Sequence, residues 1–115
     1  MAPEDRTRLR HMLDSAHDAR QFVAGRTRAE LDTDRMLVLA LMKSLEIIGE
    51  AAVHVSDDAK QAHADLPWAQ MAGIRHRLVH AYYDINLDIL WETVQRELPP
   101  LIEALERVIR READA

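Results

Sequence analysis

Apolar residues recur every three or four positions along most of this chain, the spacing of a helix face rather than the alternation of a strand. Over Thr7 to Ala24, Leu9, Met12, Leu13, Ala16, Ala19, Phe22 and Val23 form such a stripe, and Gly25 supplies a stop. A longer helix is predicted from Leu31 to Val55. Leu37, Leu41, Ser44, Leu45, Ile48, Ala52 and Val55 make one face of it, while Met36, Leu39, Met42, Ile47 and Val53 add a second apolar zone. A helix apolar on two sides is either central in a bundle or shared between core and partner, and a homodimer is the expectation for so short a chain. Glu46 and Glu50, four apart, interrupt that surface.

Ser56 to Ala64 reads as a short helix with Ser56 as N-cap and Asp57 and Asp58 in the first turn. Asp65-Leu66-Pro67 opens another, running from Trp68 to about Tyr82. Asn86 is the predicted N-cap of a last helix with the stripe Leu87, Leu90, Val94, Leu98, Leu101, Leu105 and Val108. Pro99-Pro100 falls inside that stripe and is expected to kink or break it. The fold class is therefore all-α, an antiparallel bundle of four to five helices in one domain, residues 1–115.

Composition narrows the chemistry. Hydrophobic residues are 48% of the chain but aromatics only 4%, so the core is aliphatic, and the absence of cysteine excludes disulfides and thiolate metal sites. The opening MAPEDRTRLR has charges where a signal peptide needs an apolar stretch. The most apolar run, Met36 to Ile48, is too short for a bilayer, so a cytoplasmic location is expected. A net charge of −5 argues against broad, non-specific nucleic-acid binding. Residues 1–30 hold six Arg and five acids, so any contact with RNA must use a local basic patch. Neither a Gly-rich phosphate loop nor a serine in a nucleophile-elbow context is present.

The informative stretch is Arg75-His76-Arg77-Leu78-Val79-His80-Ala81-Tyr82-Tyr83-Asp84. On one continuous helix, Trp68, Met71, Ala72, Leu78, Val79 and Tyr82 fall within about 60° of Arg75, placing its guanidinium amid the apolar face. A group that cannot lose its proton needs a partner there. On spacing alone the leading reading is a structural ion pair with Glu46 or Glu50. His80, five residues on, lies about 140° away on a straight helix. Arg75 and His80 then converge only if the helix distorts, the Arg side chain bends round, or two subunits contribute across a twofold axis. A lesser alternative places His76, His80 and Asp84 on one face at i, i+4 and i+8 as zinc ligands. His11, His17, His54 and His63 share no spacing and read as surface or core residues.

Arg75-x4-His80-x-Tyr82 resembles the Arg-x4-His-x-Tyr signature of HepT-like HEPN proteins. Leu45-Glu46-Ile47-Ile48-Gly49-Glu50-Ala51-Ala52, Leu66-Pro67-Trp68, and the segment from Asn86-Leu87-Asp88-Ile89-Leu90-Trp91 through Leu98-Pro99 resemble that family's flanks. The resemblance covers residues 6–110. It implies a homodimeric toxin that cleaves RNA without a metal or other cofactor. Its antitoxin would be a minimal nucleotidyltransferase, which in some systems adds AMP to the motif tyrosine, here Tyr82.

The chemistry suits those residues. Cleavage by the ribose 2′-OH needs proton transfer near neutral pH, assigned to His80, and fixed positive charge on the phosphorane, assigned to Arg75. His76 and Arg77 are assigned to phosphate and RNA backbone, with Glu46 and Glu50 as a supporting acid pair. A nucleotide on Tyr82 would add charge and bulk that disfavour RNA. The alternative is a non-catalytic HEPN module that binds RNA, a nucleotide or a partner nucleotidyltransferase.

Overall fold

The computed structural model describes residues 1–81 and 84–114, with backbone alone for residues 80 and 81. The described chain forms an all-α bundle with one small two-stranded ladder. Helix α1 spans Pro3–Phe22, starting earlier than its stripe because Pro3 suits the first turn and Glu4 and Asp5 face the helix dipole. Its face Leu9, Met12, Leu13, Ala16 and Ala19 is buried. Gly25 ends the segment at φ +73°, a left-handed conformation that would strain any other residue.

The second helix begins later than predicted. Arg28–Asp32 forms a 3₁₀ turn that buries Leu31, and α2 then runs Arg35–His54. Asp34 is its N-cap, accepting from the Leu37 backbone N–H at 3.0 Å. That bond, with the paired Arg26 guanidinium, holds the Asp34 carboxyl below its usual range. Helix α2 is the central element, packed on α1 along one side and on the segment of residues 68–78 along another. Leu37, Leu41, Leu45, Ile48 and Ala52 are in the core, whereas Met36 (83% exposed), Leu39 and Val53 face outward.

Helix α3, Asp57–Ala62, is capped by Ser56 as predicted, its Oγ accepting from Ala59 N–H at 3.2 Å. Ser56 in turn donates from Oγ (2.6 Å) and N (3.0 Å) to the buried Asp5 carboxylate. Burial alone would raise that carboxyl, but these two bonds and nearby Arg8 outweigh it and hold the group below its usual value. On the far side, buried His63 meets Glu112 at 2.6 Å, and that hydrogen bond keeps Glu112 below the ordinary glutamate range.

The helix predicted from Trp68 to Tyr82 is not one helix. Helix α4 is Trp68–Ala72, with Pro67 at its N-cap, and α5 is Ile74–Leu78. Gly73 separates them. The chain then turns extended at Val79 (φ −114°, ψ 111°) and forms β1, Val79–Ala81, antiparallel to β2, Asp84–Ile85. The Leu78 carbonyl accepts from Asn86 N–H at 2.7 Å, so a long-range bond replaces the next helical one. Periodicity reports local preference and is blind to that partner. Tyr82 and Tyr83 lie outside the described residues.

Asn86 caps α6, Leu87–Glu92, accepting from Ile89 N–H at 3.0 Å. A π-turn follows over Thr93–Glu97, and α7 runs Leu98–Asp114. The double proline thus neither breaks nor sharply ends the rod. It sits in the first turn of α7, and the preceding backbone absorbs the missing donors. Leu98 N–H bonds the Thr93 carbonyl, five residues back. In that register the Val94 carbonyl would need a donor from Pro99, which has none; Arg20 Nη1 of α1 supplies one at 3.3 Å.

Gly49 sets how close α2 and the α4–α5 segment come. A Cβ there would sit 3.0 Å from the Met71 carbonyl oxygen and 3.3 Å from Ile74 Cγ2. Gly49→Ala should therefore destabilise the fold by about 1–2 kcal/mol, the overpacking cost exceeding the roughly 1 kcal/mol gained in helix propensity. Urea denaturation checks this; a more stable variant would contradict the tight packing.

Candidate active site

The break at Gly73 resets the phase of the motif helix. Ile74 (4% exposed) and Leu78 (fully buried) occupy the inward face, and Arg75 is exposed rather than set amid apolar residues. Five residues are too few to carry over the phase that Trp68 and Met71 establish in α4.

Arg75 lines a cleft of about 300 Å³ whose other wall is α2, contributed by Glu46, Gly49, Glu50 and His54. It forms no ion pair or hydrogen bond among the described residues. This corrects the expectation of a buried Arg–Glu pair: Glu46 and Glu50 share the cleft with Arg75 without binding it. Counting one guanidinium against two carboxylates, the cleft of a single chain is net negative while its histidine is neutral.

Arg75, His76 and Arg77, adjacent in the chain, do not form one patch. His76 is exposed and without a partner among the described residues. Arg77 turns to the opposite side of α5 and grips Glu97 through both terminal nitrogens, at 3.1 and 3.3 Å. There it borders a separate cavity of about 430 Å³ against α7, floored by Met71, Ile74, Leu98 and Leu101.

His80 lies in β1, beyond the end of the helix. The 140° separation expected on a straight helix therefore does not apply, because the chain distorts between Arg75 and His80. The His80 side chain and Tyr82 fall outside the described residues. The zinc alternative fails as stated, since α5 ends at Leu78 and Asp84 lies in β2, so His76, His80 and Asp84 share no helix face. Among the described residues no group of three His, Asp or Glu side chains is placed to hold a metal ion, and no helix is long and apolar enough to cross a membrane.

His54 is the cleft residue that the sequence reading passed over. Its signal was present: Glu46, Glu50 and His54 sit at i, i+4 and i+8 on α2, one face of an unbroken helix. His11 and His17 are exposed as read, and His63 is a core residue.

A family model described as "Ribonuclease HepT-like" matches residues 12–108. The chain is 33% identical over 104 residues to "Putative RNase TTE0752" of Caldanaerobacter subterraneus subsp. tengcongensis, covering 90% of this chain and 93% of that protein. It is 37% identical over 75 residues to "Probable ribonuclease HepT" of Thermococcus cleftensis, covering 65% and 68% respectively. A third relative, "Putative RNase MJ1380" of Methanocaldococcus jannaschii, is 32% identical over 100 residues, 87% of this chain and 92% of that one. No solved structure matches the chain significantly. The chain belongs to the HepT-like ribonuclease family, and its helical bundle is of the HEPN type.

Because Arg75 bonds nothing among the described residues, Arg75→Ala should change unfolding free energy by no more than about 0.5 kcal/mol in urea denaturation. A loss several times larger would restore the structural role.

Proposed function

We propose that this protein is a metal-independent endoribonuclease, the toxin of a pair whose antitoxin is a minimal nucleotidyltransferase. The observation that carries the reading is Arg75: an exposed guanidinium, unpaired among the described residues, held at a cleft by a short helix directly before the His80 segment. A guanidinium left without an internal partner beside a cleft is available to an incoming phosphate. In this scheme Arg75 stabilises the charge that builds on the phosphorane, and His80 transfers a proton to or from the ribose or leaving oxygen. His76 is free to meet phosphate. Arg77 must exchange Glu97 for RNA backbone to contribute, which makes it the weaker contact.

A homodimer is supported by apolar area rather than by charge, because a twofold copy of a cleft with one guanidinium and two carboxylates brings the same acidic excess. Met36, Leu39 and Val53 on the outer side of α2 provide apolar area for such a contact. AMP added to Tyr82, three positions beyond Val79, would bring negative charge beside the same segment and switch the site off.

The test is incubation of antitoxin-free protein with total RNA in EDTA. Wild type should cleave and leave 2′,3′-cyclic phosphate ends, while His80→Ala and Arg75→Ala, each folded, should each lose about 10²-fold or more in rate. Persistent cleavage by both variants would exclude the site. RNA binding without cleavage, with unmodified Tyr82, would favour the non-catalytic module instead.

A further inference from the structure

Cleavage through the 2′-OH moves two protons. One leaves the nucleophilic hydroxyl and one joins the departing 5′-oxygen, so a second proton-transfer group is needed beside one His80 imidazole. We infer that His54 is the second proton-transfer residue, donating or accepting through Nε2 in the cleft that it shares with Arg75; the inference rests on the ribonuclease reading above.

Three observations converge on His54. It is exposed at the last position of α2 and lines the Arg75 cleft. Its Nδ1 lies 2.9 Å from the Glu50 main-chain carbonyl, an atom that can only accept, so Nδ1 carries the hydrogen and the ring is fixed with Nε2 as the exchanging atom. The neighbouring groups leave Nε2 without a partner among the described residues. From α2 these are Lys43, Glu46 and Glu50, from α1 Arg8 and His11 across an adjoining cavity, and from α5 Arg75. Lys60 of α3 is occupied with the Val53 carbonyl at 3.5 Å.

The step balances with two histidines. The 2′-oxygen bonds phosphorus as one imidazole takes its proton, and the bond from phosphorus to the 5′-oxygen breaks as the other, an imidazolium, gives one up. The products are a 2′,3′-cyclic phosphate and a 5′-hydroxyl. The two rings end in exchanged protonation states, and solvent resets them.

The experiment is steady-state cleavage of a short fluorescent oligoribonucleotide in EDTA by the full chain, from about pH 5 to about pH 9. Wild type should give a bell-shaped kcat/KM profile with two limbs. His54→Gln, and His54→Asn as a second variant, should lower kcat about 10²-fold, remove one limb, leave KM within about threefold, and recover in part with added imidazole. Circular dichroism melts establish that both variants fold. The inference is overturned if His54→Gln keeps both limbs and a rate within about threefold of wild type, or if His11→Gln removes the limb instead. Wild-type protein that is inert with unmodified Tyr82 overturns the ribonuclease reading itself, a result distinct from active wild type with an unaffected His54 variant.

Discussion

The approach of α2 to the α4–α5 segment at Gly49 governs the rest of the molecule. Because position 49 has no side chain, the Met71 carbonyl and Ile74 can lie against the helix backbone. Ile74 is thereby buried, and its burial fixes the rotation of a helix only five residues long. Arg75, the next residue, is directed to the cleft edge as a consequence. A helix this short has little stability of its own, so tertiary packing on both sides, not propensity, decides where its side chains point.

The same contact explains why acidic residues border a site proposed to bind RNA. Glu46 and Glu50 flank Gly49 by three and one positions, so the α2 surface that admits α5 is also the one that presents the carboxylates. Their negative charge opposes phosphate entry in one chain. It also leaves Arg75 near enough to acids to be electrostatically favoured without being consumed by a bond.

Much of the bundle was legible in the chain. The caps Ser56 and Asn86 and the stop at Gly25 follow from side-chain chemistry that acts within a turn, and the aliphatic stripes of α1, α2 and α7 follow from their length. The early end of the motif helix has a long-range cause. At Leu78 the helix stops because its carbonyl is claimed by Asn86, and Val79 pairs with Ile85, contacts that depend on where distant residues lie. With the helix taken as unbroken through Gly73, the phase of Arg75 comes out on the apolar face. For the site, the residue types and their order were readable, whereas the pairing of Arg77 with Glu97 and the place of His54 in the cleft required the packing of α5 and α7. The i, i+4, i+8 series ending at His54 was readable, but without α5 there was no reason to look at it.

The π-turn before α7 carries a different implication. Pro99 deprives the Val94 carbonyl of a donor, and Arg20 of α1 fills the vacancy. A residue with a backbone N–H at position 99 would compete for that carbonyl and leave Arg20 held by the Gln95 side chain alone. Losing the arginine would in turn strand the carbonyl that the proline exposes. The two residues, far apart in the chain and joined by no described bond of their own, thus form one unit of inheritance: a change at either alters which changes the other can tolerate.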